Sequence, residues 1–216
     1  FPFETAIYDK FNVPNKYVGH PLADKLSEEP NINLARTELN IPHNKKVIAL
    51  LPGSRLSEIK RIGTPLLKAA LIAESSHNDL FFVSALANEK CLKIFEELRK
   101  RNSPNLAVKM YLDNTHRVIE SADIILLVSG TVSLEAMLLK KPMIVTYKLS
   151  WPTYFIVKLL AKIPYASLPN ILAGENIVPE CLQFKCKANI LASELDKLLN
   201  SEKNIKKTIS QFTKMS

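Results

Sequence analysis

Cysteine is scarce. Cys91, Cys181 and Cys186 are the only three, an odd number with no C-x-x-C pair, so no disulfide framework is read and a reduced, cytosolic compartment fits. No apolar run is long enough to span a bilayer and no signal peptide is read, although contact with a membrane surface stays open. The balance of 29 Lys+Arg against 21 Asp+Glu gives a net charge of +8, which would suit nucleic acid, anionic lipid or a phosphorylated ligand. Neither a recognition module nor aromatics interleaved on a basic strand accompanies that charge, so nucleic acid is not expected as a partner. The excess is spread along the chain, rising locally at Lys203, Lys206, Lys207 and Lys214. No Asp-x-Asp motif offers a metal site.

What is present is ordinary for a globular protein: 216 residues, 47% hydrophobic and 23% charged, enough for a real core in one or two domains. Apolar runs rich in β-branched residues read as buried strands at 46–51, 80–86, 106–112, 124–128 and 142–147. Helical segments are expected at 33–39, at 59–76 with a kink or restart at Gly63-Thr64-Pro65, at 88–100, and from the Asp113-Asn114-Thr115 cap to Ser121-Ala122. Strand and helix in alternation mean right-handed β-α-β units, hence an α/β fold with a Rossmann-like, doubly wound parallel sheet. Residues 151–163 mix aromatics and cations as an interfacial helix would, or as one packed under a cleft. Two helices, at 187–200 and 202–214, close the chain, and the second is basic enough to lie across a neighbouring domain.

Two strand-to-helix junctions carry chemistry. Strand 124–128 runs into Ser129-Gly130-Thr131 and a helix containing Glu135. Unpaired helix-start amides, a Ser129 or Thr131 cap and a glycine that admits a ligand make an anion site, with Glu135 one turn on to receive ribose hydroxyls. The same residues also make an ordinary β-α junction with Glu135 solvated. Strand 46–51 runs into Pro52-Gly53-Ser54-Arg55, where the glycine permits close approach, Ser54 offers a hydroxyl and Arg55 can fork two donors onto phosphate. Glu58 caps the following helix more readily than it reaches a ligand. Asn170, ending the extended segment Y-A-S-L-P-N, bonds a sugar or phosphate or merely caps a helix. His20, in a Gly-His-Pro turn, reads as structural before it reads as a ligand.

With P-G-S-R after one strand, S-G-T-V-S-L-E after another, Y-A-S-L-P-N-I-L-A-G near the end, and P-F-E-T-A-I-Y and V-G-H-P at the start, the sequence resembles the lipid-A-disaccharide synthase family along nearly its whole length. The resemblance implies the C-terminal half of a GT-B fold. It implies transfer of 2,3-diacylglucosamine from its UDP carrier to lipid X (2,3-diacylglucosamine 1-phosphate), with no metal or cofactor, at the cytoplasmic face of the inner membrane of Gram-negative bacteria. Carried over by motif, Arg55 meets the diphosphate region, Glu135 the ribose, and Asn170 is a third nucleotide-side residue. Gly53, Ser54, Ser129, Gly130 and Thr131 are their backbone and hydroxyl neighbours. Residues 1–20 then read as the remnant of a preceding domain and the crossing from it, 21–186 as the UDP-sugar-binding domain, and 187–216 as helices packing towards the N-terminal domain. Family members carry the acceptor site and the catalytic base in that N-terminal domain, so no catalytic residue is expected here and the chain is expected to be inactive alone. Apolar residues Phe1, Phe3 and Tyr8 with the last helix would favour a homodimer or domain swap. A half of a UDP-N-acetylglucosamine 2-epimerase-like isomerase, or a non-catalytic nucleotide- or membrane-binding module, are the alternatives.

Overall fold

The computed structural model describes residues 5, 8–16, 18–19, 22, 30–150 and 165–215. His20 and the aromatic stretch 151–163 lie outside the described residues. Six strands form one sheet: β1 (Lys46–Leu51), β2 (Leu80–Leu86), β3 (Val108–Leu112), β4 (Ile124–Val128), β5 (Met143–Tyr147) and β6 (Glu180–Leu182). Their order is β3-β2-β1-β4-β5-β6 and every neighbouring pair is parallel. The order reverses between β1 and β4, where Leu51 pairs with Leu127, and crossovers on the two sides of that point leave the chain in opposite directions.

Alternation along the strands explains why the central ones, β1, β2, β4 and β5, are almost wholly apolar. Ile48, Leu50, Phe82, Leu126 and Ile144 point to one face, where they meet α2 (Leu56–Ser76), α3 (Glu89–Asn102) and α7 (Ala188–Leu199). Val47, Ala49, Val83, Ile125, Leu127 and Val145 point to the other. There they meet α1 (Ile32–Glu38) through its C-cap Leu39, α4 (Thr115–Ser121), α5 (Thr131–Leu138), α6 (Leu168–Ala173) and α8 (Glu202–Met215). A strand covered on both faces has no solvent side to keep polar. Burying each such side chain stabilises the fold by about 1.5–3 kcal/mol.

Several expectations need correction. The Gly63-Thr64-Pro65 break does not restart a helix: α2 runs continuously over 21 residues with Pro65 inside it. Gly63 instead marks a close approach to α3, since a Cβ there would stand 2.9 Å from Leu98 Cδ1. Gly130 occupies the N-cap position of α5 and no side chain caps that helix, so neither Ser129 nor Thr131 plays the expected part. Asn170 does not precede a helix but lies inside α6, whose N-cap position is Ser167 and whose first turn contains Pro169. β6, three residues long, adds a strand that periodicity did not foresee. Beside the neighbouring domain expected for it, the basic last helix has a partner within this one: Phe212, fully buried, sinks into the domain's own core.

The edge of the sheet at the strand N-termini is closed by buried polar groups. Arg36 Nη2 donates to Asp123 Oδ2 at 2.8 Å, and the same oxygen accepts from the Val47 N–H at 2.7 Å. Lys141 Nζ donates to the Glu120 and Ala122 carbonyls at 2.7 and 2.9 Å. Each buried charge thereby has partners, as burial requires. The opposite edge, where the strands end, is left open for a site.

Candidate functional site

β1 delivers the chain to Gly53, whose φ of +100° an L side chain rarely adopts. A Cβ there would also fall 2.3 Å from Glu58 Oε2, so shape and conformation both call for glycine. Glu58 Oε2 accepts from the Arg55 N–H at 3.2 Å, which caps the start of α2 as expected. Its Oε1 accepts from Arg55 Nη1 at 3.3 Å, but the Arg55 side chain is 77% exposed, so this ion pair is a loose tether that a better anion can replace. From below, the Cys91 thiol lies 3.5 Å from the Ser54 carbonyl.

β4 delivers the chain to Ser129 and Gly130. Ser129 N–H donates to the Thr146 carbonyl at 2.8 Å and Ser129 Oγ to the Ala166 carbonyl at 2.6 Å, pinning the turn to β5 and to the segment before α6. Gly130 is extended, and a Cβ built on it meets nothing within 4 Å. The amides of Thr131 and Val132, at the first positions of α5, have no acceptor inside the helix.

These two junctions share one cleft of about 380 Å³ at the reversal between β1 and β4. Gly53, Ser54 and Arg55 form one wall, Ser129, Gly130 and Thr131 the other, with Ala85 and Ala87 at the end of β2 and Thr115 at the start of α4. The N-termini of α2 and α5 both open on it, and with Arg55 they make it favourable for an anion. Six of the eight expected residues are thus brought together.

The other two stand apart from the lining. Glu135 is largely buried, and its Oε1 shares a 3.0 Å hydrogen bond with His116 Nδ1, on the first turn of α4 next to Thr115. Glu135 is therefore not on a fully solvated face: its side chain is 16% exposed, and its Oε2 takes no hydrogen bond among the described residues. Asn170 is fully buried with its amide committed to the chain itself. Nδ2 donates to Asn176 Oδ1, the Val178 carbonyl and Glu180 Oε1 at 3.0, 3.0 and 2.8 Å, while Oδ1 accepts from the Ile177 and Val178 N–H groups at 2.8 and 2.9 Å. No donor or acceptor of this amide is left over for a ligand in this arrangement.

A family profile described as Lipid-A-disaccharide synthetase matches residues 1–215. The chain belongs to the lipid-A-disaccharide synthase family. Among curated members it is 42% identical over 214 residues to the lipid-A-disaccharide synthase of Vibrio parahaemolyticus, covering 99% of this chain and 56% of that protein. The enzyme of Wigglesworthia glossinidia brevipalpis is 40% identical over the same shares. The chain thus spans just over half the length of these family members. Among solved structures, the UDP-GlcNAc 2-epimerase of Neisseria meningitidis bound to UDP-GlcNAc superposes with a TM-score of 0.59 at 15% identity, covering 82% of this chain and 43% of that one. WaaG, a glycosyltransferase involved in lipopolysaccharide biosynthesis, superposes with a TM-score of 0.56 at 16% identity, covering 89% and 48%. At these identities the likeness speaks only for the Rossmann-like fold that this chain shares with part of each.

His116 and Glu180 were missed by sequence reasoning. His116 follows a cap in a short helix and carries no motif, and Glu180 sits on a three-residue strand. Only the fold shows that each binds a residue that had been singled out.

Proposed function

We propose that this chain is the donor-binding side of a lipid-A-disaccharide synthase, holding the UDP of UDP-2,3-diacylglucosamine in the cleft between β1 and β4. In this reading the diacylglucosamine passes to lipid X, forming a β-1,6-linked disaccharide and releasing UDP. The observation that carries it is the convergence of the P-G-S-R and S-G-T turns on one cleft, at the strand-order reversal, in a chain of this family. Arg55 and the first amides of α5 neutralise the diphosphate as charge builds on it. Glu135, its Oε1 bonded to His116, offers Oε2 to the ribose. Asn170 supports the site from inside the fold and does not touch the nucleotide.

Glu58 is the only carboxylate lining the cleft among the described residues, and the Arg55 N–H engages it. We therefore assign the base that activates the acceptor hydroxyl to a group beyond them, and this chain by itself binds UDP without forming disaccharide. Residues 21–186 act as the donor domain, 1–20 as the crossing to an acceptor domain, and 187–216 as helices that also face it. Because donor and acceptor in this reading are both lipids, we further propose that the chain works at the cytoplasmic face of the inner membrane; no described helix is long and apolar enough to cross a membrane. Tyr8 and Phe11, 46% and 75% exposed, are where this chain would self-associate.

Calorimetry with UDP tests the assignment. Wild type is expected to bind one UDP per chain, and Arg55→Ala and Glu135→Ala each to weaken it about tenfold or more. Affinity unchanged by both substitutions would refute the site.

A further inference from the structure

Glu180 begins β6, and its carboxylate reaches back to the segment that precedes α6. Oε1 accepts from the Ser167 N–H at 2.9 Å, Ser167 Oγ at 2.7 Å, Asn170 Nδ2 at 2.8 Å and the Ala166 N–H at 3.2 Å. Oε2 accepts from the same Ala166 N–H at 3.0 Å. Across that segment, the Ala166 carbonyl accepts from Ser129 Oγ at 2.6 Å. Both backbone polar groups of Ala166 are therefore gripped, the N–H by Glu180 and the carbonyl by a residue lining the cleft.

A carboxylate receiving donors from two consecutive amides, a hydroxyl and a side-chain amide is a well-defined anchor, since charged acceptors make the stronger hydrogen bonds. Its counterpart is equally specific. The Ser129 hydroxyl spends its only proton on Ala166, so it keeps lone pairs alone and has no proton to offer a phosphate. What Ser129 does is brace the turn whose next residues present the α5 amides.

We propose that Glu180 is a positioning residue for the cleft, fixing Ala166 and Ser167 so that the Ala166 carbonyl holds Ser129, and with it the Gly130-Thr131 turn, in register for the nucleotide. Asn170 belongs to the same brace, donating to Glu180 from within α6. This rests on the reading of the cleft as a UDP site. It extends that reading to a residue on the sheet edge, two strands away from the β4 turn it controls.

The test is UDP titration calorimetry on the whole chain as wild type, Glu180→Gln, Ser129→Ala and the double variant, with thermal unfolding of each. Glu180→Gln keeps the volume but turns an amide N–H donor or a weaker, neutral acceptor towards the donors. It is expected to weaken UDP about tenfold, Ser129→Ala to do the same, and the double variant to be no weaker than the worse single, because both cut one chain of contacts. A lowered unfolding temperature with UDP affinity unchanged in Glu180→Gln, or losses that multiply in the double variant, overturns the proposal. If Glu180→Gln does not fold, Ser167→Ala removes one donor and leaves the carboxylate. It is expected to weaken UDP about threefold in wild type and not at all on Ser129→Ala, and an unchanged affinity in the wild-type background is equally fatal. Wild type that binds no UDP overturns the underlying reading as well, whereas wild type that binds with Glu180→Gln equal to it overturns only this one.

Discussion

The two glycines of the cleft make a controlled pair. Gly53 is demanded by the fold, through φ of +100° and the Glu58 carboxylate where a Cβ would be, whereas Gly130 is extended with open space around it. Gly53→Ala is expected to cost about 1–3 kcal/mol of stability, read by urea unfolding. Gly130→Ala is expected to leave stability within about 0.5 kcal/mol and still to weaken UDP, because its methyl would occupy the ligand's side of the turn. Lys141 makes a second prediction at this scale. Burial pushes its ammonium down to about 8 from 10.5, with Asp123 opposing and Arg36 adding to the shift. Between those values the unfolded chain holds a proton that the folded chain has released, so stability rises with pH. Burial also pushes Cys181 up to about 11 from 9.0 and Tyr111 up to about 12 from 10.0, and these act oppositely above pH 9 and 10. Stability is therefore expected to climb from pH 8 to about 9. The difference between wild type and Lys141→Met should keep climbing to about 10.5, and a flat difference would contradict the assignment.

At the scale of elements, α8 sends one fully buried residue into this domain, with Met215 packed beside the same cluster and Gln211 Nε2 donating to Glu175 Oε1 at 2.9 Å. Phe212, in the same cluster as Ile177, Val178 and Leu134, has no solvent exposure. Phe212→Ala is expected to cost about 3–5 kcal/mol and to expose the α8 amides to hydrogen exchange, which a helix merely resting on the surface would not show. The same element shows what was legible beforehand. β1, β2 and β4 were placed to the residue, because strands buried on both faces are nearly continuous apolar runs with a turn at each end. α6 and β6, six and three residues long, were not, because neither lasts long enough for a period to declare itself. Of the site, Gly53, Arg55, Gly130 and Thr131 were legible because local chain order alone sets strand, turn and helix start. His116 against Glu135 joins residues 19 apart, and Ser129 against Ala166 residues 37 apart. No local pattern encodes such pairs, so the braces behind the site became visible only in three dimensions.

At the scale of the molecule, a doubly wound sheet of this order concentrates binding at one place, where two crossovers diverge beyond the strand ends. The chain puts the Gly53-Ser54-Arg55 and Ser129-Gly130-Thr131 turns there and its structural charges, Arg36, Asp123 and Lys141, at the opposite edge. It spans just over half of the related synthases, and the division of labour proposed for it is to hold the donor while acceptor chemistry comes from elsewhere. The central claim is that UDP sits between the two turns. Titrating UDP into the isotopically labelled chain and following backbone amide resonances tests it most directly. The expected result is that Gly53, Ser54, Arg55, Gly130, Thr131 and Val132 shift with a common saturation curve while Asp123 and Lys141 stay still. Shifts confined to residues away from the cleft, such as Lys197, Asn204 and Lys207 in a groove lined by β6, α7 and α8, or no shifts at saturating UDP, would contradict it.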